Sequence, residues 1–155
     1  MTEPGPAISA SELEAYLHDR IPLTRAMAVE VRAAGPGGVE LYAPLAPNIN
    51  HRDTVFGGSA SAVAIVAAWS ALHVRMRAAG LDVRLVIRRN TMSYERPITT
   101  GFTATAAPPT GDTWQKLVAT VERGRPARVN VGAQLHCDGQ LVGELDGEFA
   151  VLPKA

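Results

Sequence analysis

Residues 47–59 combine polar side chains with two glycines, directly before a long apolar run. Asn50, His51 and Asp53 can orient a water molecule or take up its proton. The N–H groups at the start of a helix have no partner inside the helix, and the helix dipole is positive there. A helix that begins near Gly58 could therefore hold an oxygen that gains negative charge during acyl chemistry. We predict these four residues as the catalytic group of such a site.

Each of these residues also has a purely structural interpretation. Asn50 can fix the loop by hydrogen bonding to its backbone, His51 can face solvent, and Asp53 can be an acid near the helix start. Gly57 and Gly58 can serve only the close packing of the loop against the helix. A phosphate-binding P-loop is excluded because no Gly-Lys-Ser/Thr sequence follows.

The composition limits the classes of protein to consider. Of the 155 residues, 46% are hydrophobic and 19% are charged, which is typical of a globular domain. Lys and Arg (15) balance Asp and Glu (15), so we expect no nucleic-acid partner. With Cys137 as the single cysteine and 4 scattered histidines, we expect neither a disulfide framework nor a metal site. No secretory signal is recognisable, and the apolar run 60–72 is too short to span a bilayer, so we expect a cytoplasmic protein without a membrane partner.

The hydropathy pattern predicts a flexible N-terminal tail, residues 1–8, followed by one domain, residues 9–155. Ser9 or Ser11 can cap a first short helix, since an acid follows each of them three residues later. Pro22 is expected to end this helix.

Two alternating apolar runs, residues 27–33 and 39–45, indicate a hairpin around a glycine-rich turn. A central helix is predicted over about residues 59–79, with Gly80 just beyond its end. Because this helix is apolar nearly all round, other elements must wrap it.

After the central helix, the sequence shows only strand patterns. The predicted strands cover residues 83–97 (with a bulge at Arg88 and Arg89), 102–106, 114–121, 127–135 and 141–152, with a hairpin turn at Asp138 and Gly139. One antiparallel sheet wrapped around one long central helix satisfies both patterns. We therefore predict the α+β class and a single-domain hot-dog fold. Such a sheet leaves exposed edges, so we expect a homodimer or a dimer of dimers.

Five short pieces of the sequence carry a resemblance to a known family. They are residues 21–23 (IPL), 43–51 (APLAPNINH), 54–59 (TVFGGS), 68–69 (AW) and 94–97 (YERP). With them, the chain from Leu13 to Leu152 resembles the thioesterase-like domain of the YiiD C-terminal type, which in some bacterial proteins follows an acetyltransferase domain. The resemblance implies a free-standing hot-dog thioesterase that acts on thioesters of coenzyme A or acyl carrier protein. It implies no cofactor beyond the pantetheine carried by the substrate.

The chain is also similar, more distantly, to acyl-CoA thioesterases whose loop reads Asn, any five residues, then His-Gly-Gly. Asn50 falls on that asparagine, and Phe56 falls on the histidine. Those relatives carry a catalytic Asp or Glu on the central helix, but Ile65 stands at that position and residues 59–79 contain no acid. The usual general base is therefore absent, and we expect Ala64 and Ile65 to be buried against the sheet.

Other candidate residues surround the helix start. The predicted substrate-binding residues are Phe56, Gly57 and Ser59 beside it, with Ser93 and Glu95 on a strand that can reach a partner's pocket in a dimer. Several arginines could meet the phosphates of coenzyme A, namely Arg84, Arg88, Arg89, Arg125 and Arg128. His18, His73 and His136 receive no predicted role.

The leading hypothesis is thioester hydrolysis by a water molecule beside Gly58. A rival from another class is a non-catalytic acyl-binding or regulatory protein, which the missing helix acid favours and the polar loop disfavours. A second rival is a hydratase or dehydratase on the same fold. That chemistry needs a histidine together with an acid from the helix, and this helix offers no acid.

Overall fold

The structure of the protein, a computed structural model, describes Gly5 and residues 7–154. Most of the predicted tail, residues 1–8, lies outside the described residues. The N–H group of Gly5 donates a hydrogen bond to the carbonyl oxygen of Ala78 at 3.1 Å.

Helix α1 (Ala10–Arg20) begins at a cap that the sequence predicts. The hydroxyl of Ser9 accepts the N–H of Glu12 at 3.1 Å, and the carboxylate of Glu12 accepts the N–H of Ser9 at 3.3 Å. This capping box satisfies two N–H groups at once. Pro22 follows the end of α1 as predicted and opens the short helix α2 (Pro22–Ala26), where its missing N–H costs nothing.

The predicted first hairpin is confirmed, with shifted bounds. Strand β1 (Glu30–Gly35) pairs antiparallel with β2 (Gly38–Ala43). A 3₁₀ turn, Ala46–Asn48, then leads into the polar loop.

Helix α3 (Gly57–Ala78) is the predicted central helix. It contacts strands from both ends of the sheet, and Gly80 follows it with φ at 74°, a conformation that suits glycine. By length and composition α3 could cross a membrane, but it is the buried core helix of this fold.

One side of α3 departs from the expectation of complete burial. Ala64 is buried as predicted, whereas Ile65 is only half-buried. Ala62, Trp69 and His73, which lie on the same side of the helix as Ile65, are half-buried too. The reason is that the sheet wraps α3 incompletely, leaving one accessible face.

Four strands complete one antiparallel sheet: β3 (Val83–Tyr94), β4 (Phe102–Ala106), β5 (Ala127–Cys137) and β6 (Gln140–Pro153). The spatial order is β1-β2-β4-β5-β6-β3. A register shift between Ile87 and Arg89 confirms the predicted bulge. Asp138 and Gly139, with φ at 52° and 75°, form the predicted turn between β5 and β6. The sheet and α3 together form the expected hot-dog fold.

The strand predicted over residues 114–121 is wrong. Helix α4 (Gly111–Glu122) occupies this region. Trp114, Leu117 and Val121 recur at spacings of three and four, and α4 turns the last two into the core beside β5. The β-branched residues in this stretch favour a strand locally, which led to the wrong prediction. The helical spacing of the larger apolar residues is the pattern that the structure follows.

Aspartate substitutions should separate the buried and accessible faces of α3. Val63 is fully buried, so Val63→Asp places an unpaired carboxylate in the core and should cost about 3–5 kcal/mol. Ile65→Asp should cost only about 1–2 kcal/mol, because this side chain reaches solvent. Urea unfolding followed by circular dichroism measures both free energies. Equal losses of unfolding free energy in the two variants would contradict the accessible face of α3.

Candidate active site at the start of the central helix

The side chain of Asn50 holds the polar loop together. Its carbonyl oxygen accepts the N–H groups of Arg52 at 2.8 Å and Thr54 at 3.2 Å. Its amide nitrogen donates to the hydroxyl of Thr54 at 2.9 Å and to the carbonyl oxygen of Val55 at 3.4 Å. An amide has two donors and two acceptor sites, so every one is occupied. These contacts agree with the structural interpretation of Asn50, and orienting a water would require one of them to be exchanged.

His51 and Asp53 lie at the exposed tip of this loop. Asp53 adopts a positive φ of 61°, which aspartate tolerates better than most residues. Its N–H donates to the carbonyl oxygen of Asn50 at 3.3 Å. In the described part of the chain, neither side chain has a hydrogen-bond partner. Their predicted catalytic roles therefore stay predictions.

Main-chain hydrogen bonds fix the end of the loop. The N–H of Val55 donates to the carbonyl oxygen of Ile98 at 2.9 Å, and the N–H of Phe56 donates to that of Asn48 at 2.8 Å. The buried amide of Asn48 in turn donates to the carbonyl oxygens of Met27 at 2.9 Å and Pro44 at 2.8 Å. Asn48 thus ties the loop to the chain before β1, a role that the sequence analysis missed.

The start of α3 has no side-chain cap. Phe56 occupies the capping position, where its side chain accepts no hydrogen bond, in contrast to that of Ser9 at the start of α1. Among the described residues, no acceptor faces the N–H groups of Gly57, Gly58 and Ser59. These three donors and the helix dipole favour an anionic oxygen at this point.

The ring of Phe56 lies close to Gly58. A Cβ atom at Gly58 would clash with this ring, so a larger residue there would require the ring to move. The ring itself is exposed. The predicted substrate-binding residues Phe56, Gly57 and Ser59 therefore all border the uncapped helix start.

A groove of about 370 Å³ adjoins this start. Its lining comes from the loop, from α3, from the last residue of β3 and from the segment after it: Thr54, Val55, Gly57, Ala60, Tyr94, Glu95, Arg96, Pro97 and Ile98. Glu95 is the single carboxylate among these residues, and its own N–H is held by the carbonyl oxygen of Val142 at 2.9 Å. Ser93 is exposed on β3 opposite Glu144 and does not line the groove. The structure thus brings Glu95, but not Ser93, to the start of α3 within one protomer.

Tyr94 was not predicted as a site residue. Its hydroxyl donates to the carbonyl oxygen of Gly57 at 3.3 Å. A Cβ atom on Gly57 would lie 3.5 Å from the ring of Tyr94, so the ring packs on this glycine. The sequence offered only the YERP piece as a signal, because the contact joins residues 37 positions apart.

A second cluster lies at the other end of α3. Trp69 stacks on His73 with ring centroids 4.6 Å apart, and Tyr16 of α1 stacks on His73 at 5.0 Å. Burial of the imidazole, followed by the positive charges of Arg77 and Lys154, lowers the pKa of His73 from 6.5 to about 4. His73 is therefore a neutral, packed residue at pH 7 and not a proton donor in the groove.

No group of three or more His, Cys, Asp or Glu side chains within the described ranges is arranged to hold a metal ion. The uncapped helix start, the groove and the wrapped sheet together define a hot-dog domain with a candidate site for an acyl oxygen. A family model described as "Putative thioesterase (yiiD_Cterm)" matches residues 10–153. The chain therefore belongs to this family.

Solved structures agree with this assignment. A putative thioesterase from Shewanella oneidensis is 27% identical, with a TM-score of 0.83 over 93% of this chain and 97% of that one. A protein of unknown function from Chlorobaculum tepidum is 22% identical, with a TM-score of 0.88 over 96% and 99%. A probable thioesterase from Pseudomonas aeruginosa is 19% identical, with a TM-score of 0.75 over 96% and 100%. The last two likenesses show the fold alone. No curated protein matches the chain.

The lowered pKa of His73 predicts a loss of stability in acid. The unfolded imidazole takes up a proton near pH 6.5, whereas the folded one stays neutral down to about pH 4. The unfolded state therefore binds more protons between these values. Stability should be full above pH 6.5 and fall by about 2–3 kcal/mol as the pH drops towards 4.

Urea titrations at pH 7.5 and pH 4.5 measure this loss. The loss should be smaller in His73→Gln than in the parent. His51→Gln, on the exposed loop tip, is the matched control and should follow the parent. An unchanged pH dependence in His73→Gln would show that another group causes it.

Proposed function

We propose that this protein hydrolyses acyl thioesters of coenzyme A or acyl carrier protein. The observation that carries the proposal is the uncapped start of α3, where the N–H groups of Gly57, Gly58 and Ser59 adjoin a groove that contains a carboxylate. The carbonyl oxygen of the thioester would accept the N–H of Gly58 and gain negative charge there in the transition state. One such donor commonly contributes about 10²–10³ in rate.

Glu95 is the best-placed general base. A water oxygen attacks the carbonyl carbon while the carboxylate of Glu95 takes one of its protons. The carbon–sulfur bond then breaks, and the thiolate recovers this proton as it leaves. The products are a carboxylic acid and the free thiol. The predicted loop candidates remain in this scheme: Asn50 as the residue that positions the loop, and His51 and Asp53 as alternative bases at its tip.

Tyr94 acts through the peptide group between Gly57 and Gly58. Its hydroxyl donates to the carbonyl oxygen of Gly57, and the N–H of the same peptide group belongs to Gly58. A hydrogen bond to the oxygen of a peptide group polarises that group and strengthens its N–H as a donor. Tyr94 is therefore a positioning residue for the oxyanion donor.

One observation supports the alternative hypothesis of a non-catalytic acyl-binding protein. Ile65 stands on the accessible face of α3 where more distant relatives carry an acid, which leaves that face without a base. The hydratase alternative is weaker, because His73 packs against Trp69 and Tyr16 at the far end of α3.

The assembly that we propose is a homodimer or a dimer of dimers, located in the cytoplasm. Strand β3 lies at one edge of the sheet and is 12 residues long, and Val86 and Tyr94 on it are exposed. An open edge of this length is a template for pairing with a second chain. Cys137, the single cysteine, suits a reducing compartment.

The release of free thiol from short, medium and long acyl-CoAs and acyl carrier protein thioesters tests the activity. Glu95→Gln should lower kcat about 10²-fold, because it keeps the shape and removes the base. Tyr94→Phe should lower kcat about 3–10-fold with KM nearly unchanged, because only the polarising hydrogen bond is lost.

Glu30→Gln and Tyr42→Phe are matched controls, since both residues lie outside the groove. If the Glu95→Gln enzyme stays active, the general base is His51 or Asp53 and not Glu95. No thiol release by the parent from any substrate, together with measurable acyl-CoA binding, would favour the acyl-binding rival.

Light scattering after gel filtration tests the dimer. The parent should elute with at least twice the chain mass of 16.4 kDa. Val86→Lys should weaken the assembly, because it places a charge on the open edge strand. Leu23→Lys, at an equally exposed apolar residue of α2, should leave it intact. A monomeric and fully active parent protein would refute the proposed assembly.

A further inference from the structure

A second cavity, of about 380 Å³, lies near the C-terminal end of α3. Its walls come from α1, α3, the first residues of β3 and the end of the chain: Tyr16, Trp69, His73, Met76, Arg77, Leu81, Asp82, Val83, Arg84, Leu85, Val86 and Lys154. None of these residues lines the groove at the start of α3. The thioester chemistry proposed above makes no use of this cavity.

One wall of the cavity is aromatic. The rings of Tyr16, Trp69 and His73 are nearly parallel, with interplanar angles between 10° and 20°. The indole N–H of Trp69 donates to the carbonyl oxygen of Leu85 at 3.1 Å, which fixes this ring against β3. Tyr16 is 39% exposed, and the guanidinium group of Arg20 lies over its ring, 5.8 Å from the ring centroid. A planar ligand would take the place of this guanidinium group on the ring. Flat, fixed rings of this kind bind other planar rings by stacking.

The opposite wall carries positive charge. Arg77 and Arg84 are exposed, and Lys154 is half-exposed and forms an ion pair with Asp82 at 2.8 Å. Asp82 is the single acid among the lining residues, so the cavity keeps a surplus of two positive charges. Burial is the main cause of the lowered pKa of His73, and the positive charges of Arg77 and Lys154 lower this pKa further. Arginine side chains in this arrangement suit phosphate groups.

The geometry points to this cavity as the site that binds the nucleotide end of coenzyme A, with the purine on the Tyr16 ring and the phosphates at Arg77 and Arg84. The inference rests on the proposed thioesterase function and goes further by selecting coenzyme A as the carrier. An adenine ring and several phosphates form the one part of the substrate that combines a flat ring with negative charge. The arm of acyl carrier protein carries a phosphate but no such ring.

The distance between the two sites fits the ligand. Gly58, Ala62, Ile65, Trp69 and His73 form the accessible face of α3 at successive helical spacings. At about 1.5 Å per residue, this face spans roughly 22 Å from the helix start to His73. An extended pantetheine arm of about thirteen bonds spans roughly 16 Å at standard bond lengths, and the diphosphate adds several ångströms. One molecule can therefore place its thioester at Gly58 and its purine at Tyr16.

Isothermal titration with adenosine 3′,5′-bisphosphate tests the site without any thioester. The parent protein should bind it, and the double variant Arg77→Ala/Arg84→Ala should bind it at least about tenfold more weakly. Arg25→Ala/Arg123→Ala removes two exposed arginines outside the cavity and should bind like the parent. Tyr16→Leu should weaken binding of the bisphosphate but not of pyrophosphate, because only the ring contact is lost. Equal binding by the parent and both cavity variants would overturn the proposal.

Hydrolysis separates this inference from the proposed function. The variant Arg77→Ala/Arg84→Ala should raise KM for an acyl-CoA about tenfold and leave kcat nearly unchanged. Its hydrolysis of the matching N-acetylcysteamine thioester, which lacks the nucleotide, should equal that of the parent. Bisphosphate binding without any thioester hydrolysis would support the nucleotide site and refute the thioesterase. An increase in KM for acyl carrier protein thioesters alone would instead assign the cavity to the carrier protein and overturn the inference.

Discussion

Two main-chain hydrogen bonds hold the start of α3 in place. The N–H of Val55 donates to the carbonyl oxygen of Ile98, and the N–H of Phe56 donates to the carbonyl oxygen of Asn48. Because Phe56 offers no side-chain oxygen, the next three N–H groups of the helix meet no acceptor in the described part of the chain. The groove, the loop and the uncapped donors all depend on this anchoring.

The apolar character of α3 determines where chemistry can occur. A helix wrapped by a sheet must be apolar, and only one of its faces remains accessible. Where more distant relatives place an acid on that face, this chain has Ile65. In the proposed reaction, the catalytic groups would therefore come from the loop before α3 or from the end of β3 and the segment after it. The polar residues that line the groove there are Tyr94, which contacts Gly57, followed by Glu95 and Arg96.

Much of the fold could be predicted from local signals. The Ser9 cap, the hairpin turns and the apolar run of α3 each depend on residues close in sequence, and the structure contains all of them. Helix α4 was missed because Val118, Thr120 and Val121 favour strands locally, while packing of Leu117 and Val121 favours the helix. Local propensity could not decide between these two states.

The sequence predicts where the candidate site lies but not the contacts that form it. The loop before α3 and its glycines indicated the helix start. The roles of Asn48 and Tyr94 depend on contacts across 21 and 37 residues, which periodicity does not reveal. Glu95 was predicted as a substrate-binding residue of a partner's pocket, yet the return of the chain after β3 brings it to the groove of its own protomer.

The central claim is that the N–H groups at the start of α3 receive the thioester oxygen. Amide resonances of ¹⁵N-labelled protein, recorded while a non-hydrolysable acyl-CoA ketone analogue is added, measure this directly. The account predicts the largest downfield proton shift at Gly58, with smaller shifts at Gly57 and Ser59. Saturable binding that leaves these three amides unmoved would contradict it.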